Sequence, residues 1–172
     1  SSSKYEIHKK ILKKSKSSNL KLFSGIMFNH ESEFRSNDFL IMKIIEAALK
    51  IKSTSERKKL TLGSLDIIRD WSFAGDVMKA VNSITELDDS NHFVIGSGKG
   101  VSIKNIVEHI FSSYKLNWEN HINIDSNILR SGDPLSIIAD PQKLLFHIDW
   151  KPEYDIFKTI DRMIHFKNNE NY

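Results

Sequence analysis

Hydrophobic residues recur at helical spacing in several segments of the chain. Between residues 39 and 52 they form one stripe, made of Leu40, Ile44, Ala47, Ala48 and Ile51, as in a helix that packs one face on a core. The same spacing, with serine or proline at the start of some segments, predicts six helices. These are residues 1–18, 39–52, 73–84 and 102–114, a short helix opened by Pro141, and a last helix that carries Ile156, Ile160, Met163 and Ile164.

Short apolar runs between these helices predict strands. They cover residues 20–28, 58–62 and 92–95, whereas 29–38 is predicted as a polar loop and 125–138 as extended or irregular. Helices that alternate with strands indicate an α/β fold. Strands of this kind belong in a parallel sheet that is covered on both faces. Three of them make a poor sheet, so we expect further strands upstream of the chain.

Composition excludes several classes of function. The 25 basic and 22 acidic residues leave a net charge of +3, which is too small for a strong field over the whole protein. The chain has no cysteine, so disulfides, thiolate nucleophiles and cysteine-based zinc sites are excluded. No apolar run approaches the ~18 residues of a membrane span, and nothing resembles a signal peptide. We therefore expect a soluble, cytoplasmic protein.

Two loops are candidates for ligand binding, because each joins a predicted strand to a helix. The first, Asn29-His-Glu-Ser32, fails as a zinc motif, since Phe34 stands where a second histidine is needed. The second, Gly96-Ser-Gly-Lys-Gly100, matches neither the dinucleotide pattern nor the P-loop pattern. A polar turn remains an alternative for the first loop, and a tight turn is favoured for the second.

Basic residues suggest two kinds of partner. Arg35, Lys43, Arg69 and Arg130 lie in or beside loops; single arginines are usually solvated, but a converging set would suit a diphosphate. Convergence is left open by the sequence. The six lysines of residues 1–16 raise nucleic-acid binding as an alternative. Because aromatic residues do not interleave with them, a solvated helix face is favoured. The histidines show no metal-ligand spacing, so no metal site is predicted.

Two motifs resemble segments of the GDP-mannose 4,6-dehydratases, a family of the extended short-chain dehydrogenases/reductases. They are Gly25-Ile-Met-Phe-Asn-His-Glu-Ser32 and Leu62-Gly-Ser-Leu-Asp-Ile-Ile-Arg-Asp-Trp71. Three others, Phe93-Val-Ile-Gly-Ser-Gly98, Asp140-Pro-Gln-Lys143 and Trp150-Lys-Pro152, are shared with many nucleotide-sugar enzymes. Ser1-Ser-Ser-Lys4 looks like the end of the Tyr-x-x-x-Lys motif, with the tyrosine one residue before Ser1. The resemblance runs from Ser1 to about Met163.

This resemblance implies the C-terminal part of a Rossmann-type enzyme with a smaller α/β substrate-binding domain. Residues 1–38 would be the last helix and strand region of the NADP-binding Rossmann domain. Residues 39–172 would be mainly the GDP-sugar domain, with strand 92–96 returning to the Rossmann sheet. The Gly-rich dinucleotide loop and the catalytic tyrosine do not occur in these 172 residues, so we expect the chain alone to be inactive.

The resemblance also implies roles for individual residues. Lys4 matches the catalytic lysine, which also contacts NADP, together with His30 and Arg35. The positions expected around the GDP-sugar are Asn29, Lys43, Arg69, Arg130 and Asp133, the last of which stands where the family usually has Glu. Met42 and Ser64 depart from the family's basic residue and asparagine.

The implied activity is that of a lyase. GDP-mannose would lose water through an NADP hydride cycle and become GDP-4-keto-6-deoxymannose, in an enzyme expected to be a homo-oligomer. Two alternatives remain within nucleotide-sugar chemistry: another NAD(P)-dependent epimerase or dehydratase, and a non-catalytic nucleotide-sugar-binding protein. Neither a nucleic-acid partner nor a membrane partner is expected.

Overall fold

Helices pack around short, mostly parallel strands. The structure is a computed structural model that describes residues 2–54, 59–89, 91–128 and 132–170. In these ranges the helices are α1 (Ser2–Ser15), α2 (Leu40–Thr54), α3 (Ala74–Thr85), α4 (Ile103–Ser113), α5 (Gln142–His147) and α6 (Ile156–Glu170). The strands are β1 (Phe23–Met27), β2 (Asn29–Glu31), β3 (Leu60–Leu62), β4 (Ile68–Phe73), β5 (Asn91–Ile95), β6 (Gly100–Ser102), β7 (Ile122–Ile124) and β8 (Ser136–Ile137). The predicted alternation of helices and strands is confirmed.

The strands form three small groups. Strands β1 and β5 pair in parallel over five residues each, and β3 pairs in parallel with β7. Strand β4 is the centre of the third group, with β2 and β8 parallel to it and β6 antiparallel. Because β4 touches three other strands, it brings together segments that are far apart along the chain.

The sequence-based prediction of strands missed several short strands, among them β6 and β7, and two of its errors concern the candidate site. Residues 29–31 form β2 rather than part of a polar loop, because β4 supplies partners for their backbone hydrogen bonds. Their polar side chains give no sign of this pairing. The strand β4 itself was missed. Its consecutive residues Asp70, Trp71 and Ser72 are all buried, so it shows neither the alternation of a half-exposed strand nor the purely apolar run of a buried one.

Each helix end that was predicted lies within three residues of the helix end in the structure. Ser102 caps α4 as expected, since its Oγ accepts a hydrogen bond from the backbone N–H of Asn105 at 3.1 Å. In α6, the four apolar residues that predicted the helix are all buried. None of the helices in the described ranges is long and apolar enough to cross a membrane.

Buried apolar side chains form two clusters. One lies among α2, α4 and α6 and includes Ile44, Phe111 and Ile160. The other lies between α3, β5 and α5 and includes Val77 and Phe93. Strand β5, which contributes Phe93 to the second cluster, pairs with β1, and its return to a Rossmann sheet stays a prediction. The domain boundary at residue 38 stays a prediction.

Candidate functional site

The pairing of β2 with β4 places the two family motifs side by side. Asn29 lies opposite Trp71, and His30 lies opposite Ser72. Arg69 lies on the same strand as Trp71, two positions before it. Residues expected to contact the cofactor and the substrate therefore share one pair of strands, which the sequence alone did not show.

Lys4 and His30 line one cavity between α1 and the strands β1 and β2. Its volume is about 580 Å³, and its wall also includes Ile26 and Met27. The Nδ1 of His30 lies 2.9 Å from the carbonyl oxygen of Phe28. Since a carbonyl oxygen can only accept, Nδ1 donates this bond, and Nε2 is left for another partner. The cavity thus combines an ammonium, an oriented imidazole and an apolar wall.

Glu31 and Arg35 form a second feature at the end of β2. Glu31 is only 4% exposed, and burial raises its pKa from 4.5 to about 7, although the positive charge of Arg35 acts in the opposite direction. The Nε of Arg35 lies 3.0 Å from Oε2 of Glu31, as an ion pair without hydrogen-bond geometry. The Arg35 guanidinium also stacks over the ring of Phe39, 3.7 Å from its centroid. Arg35 therefore has its partners close by in the chain, at the end of β2 and just before α2.

Glu31 was missed as a functional candidate. It stands inside a motif that was recognised, but a glutamate in a polar loop gives no sign of burial. A buried carboxyl group that titrates near pH 7 is a candidate for proton exchange. Its burial is visible only in the tertiary structure, where Glu31 lies opposite Phe73 on β4.

Arg69 and Asp133 meet in an ion pair. The Nη2 of Arg69 lies 2.9 Å from Oδ1 of Asp133, and the side chain of Arg69 is 13% exposed. Its Nη1 donates to the carbonyl oxygens of Ile68 and Leu135, at 2.8 and 3.3 Å. Two of the residues expected around the GDP-sugar are thus in contact with each other.

The remaining predicted substrate residues are not joined to this pair. The side chains of Asn29 and Lys43 are exposed, at the start of β2 and in the first turn of α2. Among the contacts of the described residues, none links Lys43 to Arg69. Arg130 lies outside the described residues. The convergence of Arg35, Lys43, Arg69 and Arg130 around a diphosphate stays a prediction.

The turn at residues 96–100 is organised by Asp70. The carboxylate of Asp70 accepts hydrogen bonds from the backbone N–H groups of Ser97 and Gly98, at 3.0 and 2.8 Å, and from the Ser97 hydroxyl at 2.6 Å. It also accepts from the N–H of Ala139 at 3.2 Å. Gly98 has φ of +72°, which favours glycine. Because an internal carboxylate already fills the amide cradle, the tight-turn interpretation is confirmed over phosphate binding.

Metal-ligating side chains do not gather at this site. Across residues 2–54, 59–89, 91–128 and 132–170, no group of three or more His, Cys, Asp or Glu side chains is placed to hold a metal ion.

The fold defines the class of protein. RMD from Pseudomonas aeruginosa, complexed with NADPH, is similar with a TM-score of 0.81 and 18% identity, over 93% of this chain and 52% of that one. UDP-glucose 4-epimerase with UDP-glucose, from Thermotoga maritima, is similar with a TM-score of 0.80 and 16% identity, over 98% of this chain and 52% of that one. The chain has the fold of the Rossmann-type extended short-chain dehydrogenases/reductases.

Sequence comparison identifies the family within that class. The sequence profile described as GDP-mannose 4,6 dehydratase matches residues 1–163. GDP-mannose 4,6 dehydratase 1 of Arabidopsis thaliana is 30% identical over 141 residues, which are 82% of this chain and 39% of that protein. The chain belongs to the GDP-mannose 4,6-dehydratase family. It spans about two fifths of the length of the curated relatives it matches.

Proposed function

We propose that this chain forms the substrate-binding part of a GDP-mannose 4,6-dehydratase that uses NADP. The observation that carries the proposal is the pairing of β2 with β4, because it sets the two motifs of the family against each other. Membership in the family supports GDP-mannose as the substrate. Residues 1–38 would contribute to the NADP-binding domain, and most of residues 39–172 would hold the GDP-sugar.

The cavity between α1, β1 and β2 fits the nicotinamide end of NADP. A nicotinamide riboside offers hydroxyl and amide groups together with a flat ring, and the cavity offers Lys4, His30 and the apolar wall of Ile26 and Met27. The NADPH bound to RMD supports a nicotinamide dinucleotide in this fold. When bound, NADP supplies the acceptance and return of a hydride. Arg35 would contact the cofactor beyond this cavity.

Lys4 would carry the catalytic role that the family gives to its lysine. An ammonium beside a phenol favours the phenolate and lowers the pKa of the tyrosine. The same ammonium can donate to a ribose hydroxyl, because it has three donors. His30, oriented by the carbonyl oxygen of Phe28, would present Nε2 to the cofactor. Neither residue by itself supplies the acid and base for loss of water.

On the substrate side, cations would neutralise the diphosphate. Arg69 lies on β4 beside the motif strand, and Lys43 lies in the first turn of α2. Together with Arg130 they would hold the diphosphate, while Asn29 would contact the GDP-sugar from β2. The overall conversion is loss of one water from GDP-mannose to form GDP-4-keto-6-deoxymannose.

Another nucleotide-sugar reaction is the second candidate. The similarity to UDP-glucose 4-epimerase favours it, because the same fold there holds a uridine nucleotide sugar. A non-catalytic nucleotide-sugar-binding protein is a third candidate. It predicts binding without turnover.

The test is incubation with GDP-mannose and NADP, followed by mass spectrometry of the sugar nucleotide. It is carried out on the protein at its natural length and, in parallel, on the 172-residue chain. Loss of one water by the longer protein and none by the chain alone is the expected result. Binding of UDP-glucose in preference to GDP-mannose would favour the epimerase candidate. Absence of binding to both nucleotide sugars would refute the proposal.

A matched pair of variants tests the role of Arg69. Arg69→Gln removes one of the positive charges proposed to neutralise the diphosphate. It should weaken GDP-mannose binding about tenfold or more, which corresponds to a loss of about 1.4 kcal/mol or more in binding free energy. Lys104→Gln removes an exposed cation on α4 that pairs with Glu108 and should bind as the wild type does. Equal affinities for the two variants would contradict the role of Arg69. The oligomeric state, expected to be a homo-oligomer, is measured by light scattering on the same samples.

A further inference from the structure

The ion pair of Glu31 and Arg35 joins a buried carboxylate to a partly exposed guanidinium. Glu31 is 4% exposed, whereas the side chain of Arg35 is 28% exposed. The atoms that meet, Oε2 of Glu31 and Nε of Arg35, are both buried and have no hydrogen-bond partner among the described residues. The two side chains are therefore coupled by charge across 3.0 Å rather than by a hydrogen bond.

The other edge of the guanidinium is open to an anion. The guanidinium lies over the ring of Phe39, 3.7 Å from its centroid, which gives it a fixed support. Among the described residues, no hydrogen bond or ion pair engages Nη1 or Nη2 of Arg35. These two groups, here called the Nη edge, form a planar fork that suits two oxygens of one phosphate. Arg35 can thus keep Glu31 at Nε while a phosphate binds at the Nη edge.

Burial and Arg35 act on Glu31 in opposite directions. Burial raises the pKa of Glu31 to about 7, and the positive charge of Arg35 lowers it. A phosphate bound to Arg35 would compensate this positive charge and place a like charge near the carboxylate, while the burial would stay. Both changes favour the neutral form of Glu31. Anion binding at Arg35 should therefore draw a proton onto Glu31.

The charged groups on the neighbouring elements have partners of their own. The residues of β4 that face the end of β2, Ser72 and Phe73, carry no charge. His30 precedes Glu31 on β2, so its side chain lies on the opposite face of the strand, where its Nδ1 donates to a carbonyl oxygen. On α3 and α6 the ion pairs are Asp76 with Lys79, Lys79 with Glu153, and Arg162 with Glu33. Arg35 is thus the charged group that acts on Glu31.

We propose that Glu31 takes up a proton from solvent when a phosphate group of the cofactor binds the Nη edge of Arg35, so that affinity for the cofactor falls as pH rises through neutrality. This inference rests on the proposed function, in which Arg35 contacts NADP. If the phosphate binds the form with neutral Glu31, the apparent affinity is reduced by the fraction of that form. With a pKa of about 7, this fraction falls about tenfold between pH 6 and pH 8.

The competing role for Glu31 is to hold Arg35 in place without any change in its own protonation. A carboxylate with that role would strengthen cofactor binding, so Glu31→Gln would bind NADP more weakly than the wild type at pH 8. Proton uptake predicts the opposite, because glutamine needs no proton to become neutral. The two roles therefore predict opposite signs for the loss of this charge.

The test measures binding of NADP and NAD to the protein at its natural length, at pH 6 and pH 8, by isothermal titration calorimetry. Between these pH values the wild type should lose about tenfold more affinity for NADP than Glu31→Gln does. The ionisation of the NADP phosphate and of His30 is common to both proteins and cancels in this comparison. Titrations at pH 8 in two buffers of different ionisation enthalpy count the protons, and the wild type should take up close to one more proton than the variant.

The ligands and a control variant locate the effect. NAD lacks the 2′-phosphate, so pH dependence with NADP alone places that phosphate at Arg35, whereas pH dependence with both ligands places the diphosphate there. Glu108→Gln is the matched control, since Glu108 is a partly exposed acid on α4 that pairs with Lys104. It should follow the wild type at both pH values. Circular dichroism of each variant at pH 6 and pH 8 checks that the fold is intact.

Each outcome decides the inference. Tighter NADP binding at pH 8 by Glu31→Gln alone, together with loss of the proton uptake, supports it. Weaker binding by Glu31→Gln at pH 8 would overturn it in favour of a holding role, and equal pH dependence in the two proteins would overturn it as well. If Glu31→Gln does not fold, the proton count of the wild type decides, since a count near zero overturns the inference and a count near one supports it. If neither NADP nor NAD binds at either pH, the proposed function fails and the inference fails with it.

Discussion

Replacement of Asp70 removes an acceptor that joins three segments of the chain. The side chain is fully buried on β4, and its carboxylate accepts four hydrogen bonds, three from backbone N–H groups and one from a hydroxyl. Oδ1 receives both donors of Ser97, whereas Oδ2 receives the N–H groups of Gly98 and Ala139. Asp70→Asn keeps the shape of the side chain but turns one of these oxygens into an NH₂ group, which faces donors in either orientation.

The cost follows from these bonds. A hydrogen bond to a charged group contributes about 1.5–3 kcal/mol, and a buried N–H left without a partner costs about 1–3 kcal/mol. Asp70→Asn strands at least one backbone N–H, so we expect a loss of about 3 kcal/mol. Asp70→Ala strands all four donors, and we expect about 4–5 kcal/mol, because access of water to the space left behind offsets part of the loss. Domains are stable by about 5–15 kcal/mol in total, so the alanine variant should be marginal.

Urea unfolding, followed by tryptophan fluorescence and far-UV circular dichroism, measures these losses. Ser97→Ala is the matched control, because it removes only the hydroxyl that donates to Asp70 at 2.6 Å and should cost about 1 kcal/mol. The expected order of stability is wild type, Ser97→Ala, Asp70→Asn and Asp70→Ala. An Asp70→Asn protein within about 0.5 kcal/mol of the wild type would refute the reasoning. It would mean that these donors find other partners.

Three further predictions concern other buried or half-buried groups. Because burial raises the pKa of Glu31 from 4.5 to about 7, the folded protein binds this proton more tightly than the unfolded chain, and its contribution to the free energy of unfolding falls as pH rises between those values. Glu31→Gln should remove this slope, worth about 3 kcal/mol at most; unfolding curves at pH 5 and pH 8 that differ as in the wild type would contradict it. Ser102→Ala removes the cap on Asn105 and should lower stability by about 1 kcal/mol, whereas Ser102→Thr should restore it; equal melting temperatures for all three proteins would count against the cap. Arg162→Ala breaks the 2.5 Å pair with Glu33 and should cost about 1 kcal/mol, less at high salt; a loss that does not depend on salt would point to packing instead.

Helices and strands differ in how well the sequence predicted them. The stripe from Leu40 to Ile51 predicted α2 because a helix that buries one face repeats its apolar residues with a local period. The strand β4 has no such period, because Asp70 and Ser72 are polar and buried. Its stability comes from three neighbouring strands rather than from its own residues. The prediction therefore failed where a segment depends on partners that are distant along the chain.

The candidate site shows the same division. The motifs identified Lys4, His30, Arg35, Asn29, Lys43, Arg69, Arg130 and Asp133 as candidates, through resemblance to a family to which the chain belongs. Their mutual contacts were not predicted. The shared cavity of Lys4 and His30 and the ion pair of Arg69 with Asp133 both join residues that lie in different elements.

The sequence by itself determined the helices, the cap at Ser102, the α/β class and the family, because each of these depends on residues close together in the chain or on motifs read one after another. Only the tertiary structure decided that Glu31 is buried, that Asp70 holds the turn at residues 96–100, and that Arg69 is neutralised by Asp133. The physical reason is that the charge and the hydrogen bonds of a side chain depend on its surroundings in space. Those surroundings are set by β4, where separate segments of the chain meet.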